Sequence, residues 1–231
     1  WTITVSADGY VDSTYTLNIV KGWNDEQVIT LESSAYGSFT DDRDDQVYSW
    51  VRIGTQVWMA ENLNYAASGS WCYDDDSANC DLYGRLYDWS TVMGFDASCN
   101  TTSCASQVQS FHRGICPDGW HVPSDAEWTT LVNFVGDSST AGTRLRALTG
   151  WEPLSATLIP GTDDHGFSAL PGGRRSTTDG GFWNVGARGL WWSATEDGAA
   201  FAWNRRMYSG YSSVYRNSWG KRNGLSLRCV R

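Results

Sequence analysis

Cysteine number and spacing constrain this chain more than any other feature. Six are present, at Cys72, Cys80, Cys99, Cys104, Cys116 and Cys229, without the repeated Cys-x-x-Cys spacing of a zinc ribbon. An even count points to disulfides, although six cysteines permit fifteen pairings. The economical pairing has two short loops, Cys72–Cys80 and Cys99–Cys104, together with a long Cys116–Cys229 closure. A closure of that size stabilises a fold by roughly 4 to 5 kcal/mol in the chain-entropy treatment. It would tie the last strand, two residues from Arg231, back to the stretch Cys116-Pro117-Asp118-Gly119-Trp120-His121-Val122-Pro123-Ser124. Buried free thiols are the competing reading. Disulfide habit favours an oxidised, extracytoplasmic setting.

The rest of the composition narrows the partners. The 231 residues suit one large domain, or a domain with a small module. A net charge of −9 and a pI near 4.7 disfavour nucleic acid, whose phosphates need a basic face. No run of eighteen apolar residues exists to span a membrane. Trp1 is not an initiator residue, so a targeting segment and further domains are expected upstream.

A boundary is expected near residue 35. Before it, Thr2-Ile3-Thr4-Val5-Ser6, Tyr15-Thr16-Leu17-Asn18-Ile19 and Val28-Ile29-Thr30-Leu31 alternate with the period of half-buried strands, and Ala7-Asp8-Gly9-Tyr10 supplies a turn. Three strands cannot bury a core alone. The run from Ile3 to Tyr10 resembles the closing strands of PEGA-type β-sandwich modules. Its missing strands would lie upstream, or be supplied by strand addition from a neighbouring molecule, a route to self-association.

From Gly37 onward Trp, Tyr, Gly and Asn become dense. Phe39 to Tyr48 reads as strand, acidic turn, strand, and Val51 to Met59 as a second hairpin. Leu82 to Met93 and Ser124 to Val135 are the two main helix candidates. The second begins with the capping box Ser124-Asp125-Ala126-Glu127, and Trp128, Leu131, Val132 and Val135 share one face. Ala141 to Leu148 reads as a third short helix. After Pro160, loops and short strands are expected between glycine turns.

Several blocks then carry a resemblance in collinear order over residues 37 to 231. They include Asp41 to Tyr48, Val57-Trp58-Met59-Ala60-Glu61-Asn62-Leu63-Asn64-Tyr65, Trp71-Cys72-Tyr73 and Tyr83-Gly84-Arg85-Leu86-Tyr87. Further on come Cys116 to Trp128, Gly161-Thr162-Asp163-Asp164-His165-Gly166-Phe167-Ser168-Ala169-Leu170-Pro171-Gly172-Gly173, Trp191 to Glu196 and Leu225 to Val230. Together they resemble the Fibrobacter succinogenes major paralogous domain, a family of secreted bacterial proteins. That family in turn resembles C-type lectin-like folds, near the branch of formylglycine-generating enzymes. The resemblance implies an α+β fold with two main helices and twisted antiparallel sheets, spanning 36–231 after an N-terminal all-β fragment at 1–35. It implies no established activity.

The acidic clusters Asp41–Asp45, Asp74–Asp76 and Asp163–Asp164 raise calcium, which takes oxygen ligands from loops. None matches an EF-hand, and the lectin sugar motif Glu-Pro-Asn is absent, since Leu154 follows Glu152-Pro153. Solvated turns are the plain reading. Asp74, Asp75 and Asp76 remain the metal candidates, with calcium the only cofactor in view. For catalysis, His112, His121 and His165 are scattered. Neither a Gly-x-Ser-x-Gly elbow nor a His-Glu-x-x-His helix occurs, and Glu61, Glu127, Glu152 and Glu196 have no distinguishing context. A non-enzyme is expected.

Between Phe182 and Trp219 the chain mixes Trp and Tyr with Ser, Asn and Arg, as binding loops do. Trp191, Trp192 and Phe201 read as core, and Asn204 to Trp219 as exposed. Trp183, Arg205, Tyr208, Tyr211, Tyr215, Arg216, Asn217 and Trp219 are the candidate ligand contacts. The expected role is an extracellular binding or adhesion module recognising a glycan or protein; a protomer of a surface filament is the alternative. Asn100-Thr101-Thr102 has the pattern of a glycosylation acceptor.

Overall fold

A computed structural model describes residues 35–153 and 157–231, with the backbone of Thr2–Val5 and Ser13–Thr16. Those two segments are strands β1 and β2, paired antiparallel with Ile3 opposite Tyr15. Their pairing lies within the chain. The expected turn at Ala7–Tyr10 and the strand at Val28–Leu31 lie outside the described residues.

Both expected hairpins form. β3 (Tyr36–Asp41), β4 (Gln46–Ile53) and β5 (Gln56–Met59) make one antiparallel sheet in that order. The expected helix over Leu82–Met93 does not form. Instead α1 (Ser77–Tyr83) stops at Gly84, a short strand β7 (Leu86–Tyr87) pairs with β6 (Ser70–Trp71), and α2 (Trp89–Met93) follows, capped by Asp88. Gly84 has φ 73°, and a Cβ there would come within 2.9 Å of the carbonyl oxygens of Asn62 and Leu63. The backbone must turn at that point, and only glycine turns it without strain.

α3 (Asp125–Val135) forms with its capping box intact: the Ser124 side chain accepts from the Glu127 amide while the Glu127 carboxylate accepts from the Ser124 amide. Trp128, Leu131, Val132 and Val135 are buried along one face. α4 (Ala141–Leu145) is shorter than expected. After the small pair β8 (Arg174–Arg175) and β9 (Phe182–Trp183), three long strands follow: β10 (Arg188–Glu196), β11 (Phe201–Tyr208) and β12 (Val214–Gly220), antiparallel in that order. The expectation of loops and short strands is corrected here.

This sheet is buried on both faces at its centre. The adjacent Trp191 and Trp192 are both fully buried yet belong to separate apolar clusters, because successive strand residues point to opposite sides. One cluster gathers Trp58, Trp128, Trp151, Phe167 and Met207; the other gathers Tyr87, Trp89, Trp120, Trp192 and Leu225. Four of the fully buried indoles at this centre each find a partner. Trp191 Nε1 donates to Asn62 Oδ1, Trp192 Nε1 to the Tyr87 carbonyl, Trp89 Nε1 to that of Ser193 and Trp128 Nε1 to that of Trp192.

The last segment, residues 225–231, runs through the middle of the molecule. Its backbone bonds in turn to Tyr87, Leu190, Leu63, Met59, His121 and Val57. Cys229 is bonded to Cys116, Cys72 to Cys80 and Cys99 to Cys104, as the economical pairing anticipates. Arg228 is fully buried beside them. Its guanidinium donates to Asn62 Oδ1 and to the carbonyls of Phe167 and Ser168, and burial pushes its pKa down to about 9. Among the described residues no helix is long and apolar enough to cross a membrane.

Candidate functional site

Strand register divides the expected contact residues between the two sides of the β10–β11–β12 sheet. Directly opposed residues share a face. Trp191, Arg205 and Arg216 line up on one face; Leu190, Arg206 and Tyr215 line up on the other, with Arg188 opposite Tyr208, Asn204 opposite Asn217 and Ala202 opposite Trp219. A contiguous exposed segment from Asn204 to Trp219 is therefore not what forms. Asn204, Arg205, Met207, Ser209 and Val214 are buried, and Phe201, expected in the core, is 50% exposed.

On the first face, Arg205 is only 2% exposed. Its Nη1 lies 2.5 Å from Asp125 Oδ1, and its Nη2 donates to the Asp125 carbonyl and to Thr129 Oγ1. Arg216 Nε donates to the same carboxylate at 2.9 Å, and its guanidinium carbon stands 3.3 Å from the Trp203 ring centroid. The two arginines share one acid at the start of α3, beside a groove of about 410 Å³ lined also by Thr129, Ser139 and Tyr215. Arg205 thus fastens α3 to the sheet, which corrects its placement among surface contacts.

The second face ends in a patch of rings and guanidiniums. Tyr208, Tyr211 and Tyr215 form a triangle with centroids 5.2 to 6.2 Å apart, and Tyr211, in the β11–β12 turn, is 53% exposed. Arg188 lies 5.1 Å from the Tyr208 ring. Arg174 and Arg206 lie 4.6 and 4.4 Å from the Trp219 ring. Trp219 is packed against the apolar core, so its π-system holds two cations rather than standing open as a stacking platform. Trp183 is directly opposite Arg174 across the β8–β9 pair and is 47% exposed. Asn217 is exposed as expected.

The acidic motifs have structural duties. Asp41 is buried, with Arg43 Nε and Nη2 at 2.8 and 2.6 Å; burial raises its pKa, but the Arg43 contacts outweigh this and hold it low. Asp163 accepts from the backbone and hydroxyl of Ser168. Asp76 caps α1 by accepting from the Ala78 amide, while Asp74 and Asp75 occupy left-handed backbone. Among the described residues no three His, Cys, Asp or Glu side chains gather to hold a metal, so the Asp74–Asp76 calcium site gains no support.

A second cleft, about 640 Å³, is lined by Phe111, His112, Ser124, Glu127, Thr195 and Glu196. Both carboxylates in it are occupied. Glu127 caps α3 and bonds His121 Nε2 at 2.7 Å; Glu196 accepts from Lys221 Nζ, Ser103 Oγ and the Cys104 amide. His112 Nε2 pairs with the Met93 carbonyl, and His165 packs on Phe134. Asn100 is buried, exchanging hydrogen bonds with Ser90, so the glycosylation pattern is not presented on the folded surface.

A family model described as the Fibrobacter succinogenes major domain matches residues 51–231. The chain belongs to that family. Comparison with curated proteins found no match, and comparison with solved structures found none. All three disulfides, the β10–β12 sheet and the buried C-terminal segment fall within the Fibrobacter succinogenes major domain. Two sets of residues escaped the sequence reading of this domain. Asp125 looks like a helix-start acid until the strand register brings Arg205 and Arg216 to it. Arg174 follows a Pro-Gly-Gly turn outside the aromatic stretch, and its partner Trp219 lies at the far end of that stretch.

Proposed function

We propose that this domain is a non-catalytic, extracellular binding module of C-type lectin-like architecture over 36–231, following a PEGA-like β-sandwich fragment at 1–35. Its ligand is a glycan or protein at a cell surface, contacted by Trp183, Tyr208, Tyr211, Tyr215 and Asn217, with Trp219 holding the neighbouring arginines and Arg216 on the opposite face of the sheet. One observation carries this reading: at the end of a sheet whose centre is buried on both faces, Tyr208, Tyr211 and Tyr215 emerge as a mutually braced group with Tyr211 half exposed. Rigid amphipathic rings give contact area at low entropic cost. Three disulfides support the extracellular assignment.

The test is a paired substitution, Trp183→Ala with Tyr211→Ala, chosen because both rings are exposed and neither belongs to the core. On a glycan and cell-surface protein array the variant is expected to lose at least tenfold in binding while its Tm stays within about 2 °C, since surface changes usually cost under about 0.5 kcal/mol. Retained binding overturns the assignment.

A further inference from the structure

The arginines of the β10–β12 sheet, taken with Arg174 of the neighbouring β8, fall into two sets that differ in one respect. On the first face Arg205 and Arg216 share the Asp125 carboxylate. On the second face Arg174, Arg188 and Arg206 have no carboxylate in ion-pair range among the described residues. Aromatic rings stand in for one: Trp219 for Arg174 and Arg206, Tyr208 for Arg188. Among the described residues Arg206 alone of the three has a polar side-chain partner, donating from Nε to Asn204 Oδ1 at 2.9 Å. The Nε atoms of Arg174 and Arg188 are buried without a partner, as is the Nδ2 of fully buried Asn204. A cluster of like charges costs free energy in proportion to its closeness, and this one persists in a chain of net charge −9 with carboxylates to spare. Burial first, and then the charges of Arg188 and Arg206, lower the pKa of Arg174, with Asp179 acting against them.

Guanidiniums fixed by ring contacts and left without an ion-paired carboxylate are preorganised for an incoming oxyanion, which each meets with paired N–H donors. Two exposed rings flank the patch, Trp183 opposite Arg174 and Tyr211 beside Tyr208. Flat aromatic surface beside an oxyanion seat fits a pyranose bearing an acid group better than an acidic peptide, whose side chains offer no comparable apolar face. Resting on the binding-module reading above, we infer that Arg174, Arg188 and Arg206 seat the carboxylate or sulfate of an acidic saccharide whose ring lies against Trp183 or Tyr211.

Calorimetric titration of the full chain with oligogalacturonate, heparin-derived oligosaccharide, cello-oligosaccharide and oligoglutamate tests this. The acidic saccharides are expected to bind at least tenfold more tightly than the neutral one, with affinity falling as salt rises from 50 to 500 mM, because screening shortens the reach of surface charge. Binding of the heparin fragment without oligogalacturonate assigns sulfate, and comparable binding of both assigns the carboxylate, which heparin also carries. Arg188→Gln with Arg206→Gln should cost at least tenfold in Kd at unchanged Tm, and Arg188→Lys with Arg206→Lys should recover part of it. Oligoglutamate binding as tightly overturns the saccharide assignment. Equal, salt-independent binding of acidic and neutral saccharides overturns the anion seat and leaves the binding module standing. Acidic-saccharide binding that survives both arginine variants overturns the location. Should no saccharide bind, the inference falls, and the array experiment on Trp183 and Tyr211 then decides separately whether a protein ligand remains. A wild-type chain that sediments as an oligomer dissociated by the Gln variant would assign the patch to self-contact and overturn the saccharide.

Discussion

Lys221 is among the most heavily committed side chains of the described residues. Its ammonium is fully buried, 2.7 Å from Glu196 Oε1, and donates also to the carbonyls of Cys99 and Ala199 while lying 4.3 Å from the Trp89 ring. Burial alone would raise the pKa of Glu196, but the hydrogen bonds from Lys221, Ser103 and Cys104 outweigh it and hold the carboxyl below its usual range. Removing one partner strands the other. Lys221→Met is expected to cost about 3 to 5 kcal/mol in equilibrium denaturation at pH 7, with Lys221→Met/Glu196→Leu recovering much of the loss. Because the folded-state pKa of Glu196 is depressed, the stabilisation by its ionised form is complete above the unfolded value and fades as pH falls through the folded one. The gap between wild type and the single variant should therefore narrow in acid. A single variant as stable as wild type at neutral pH would show the pair to be idle.

At the scale of elements, α3 is held at its first turn. Asp125 sits where a helix dipole favours an acid, its amide donates to the Thr195 hydroxyl oxygen on β10, and its carboxylate accepts from Arg205 of β11 and Arg216 of β12. Asp125→Ala leaves the Arg205 guanidinium buried without counter-charge, and a loss of about 3 kcal/mol is expected in urea unfolding; a loss below about 1 kcal/mol would mean that Thr129 and the backbone suffice. This helix was fully legible beforehand, since its cap, its period and its apolar face are all local. The hairpins over Phe39–Tyr48 and Val51–Met59 were legible for the same reason. The Leu82–Met93 segment was not, because what breaks it is the close approach of Asn62 and Leu63 to Gly84, a contact between segments some twenty residues apart. β10 to β12 were misread as loop-like because a strand buried on both faces at its centre, and polar at its end, shows no clean alternation. The candidate contact residues were found by composition, but their division between two faces depends on pairing register, which composition does not carry.

At the scale of the whole molecule, the pairing Cys116–Cys229 was readable from spacing, and its setting was not. Both sulfurs are fully buried within the cluster that holds Trp120, Trp192 and Leu227, so the bond is embedded in packing on all sides. Replacing both cysteines by Ala is expected to lower stability by about 4 to 5 kcal/mol, the entropy of a loop this long, in guanidinium unfolding of the otherwise oxidised chain. A loss under about 1 kcal/mol would mean that the packing alone fixes the last segment. That segment has a consequence for timing. Chains are made from the N-terminus forward, yet residues 225–231 are the strip on which β5, β7, β10 and the His121 region all close. The disulfides at Cys72–Cys80 and Cys99–Cys104 can therefore be set early, by local chain alone, whereas the two apolar clusters have nothing to shut upon until residues 225–231 are in place. A chain cut ahead of residue 225 is accordingly expected to stay open to proteases that the closed domain resists.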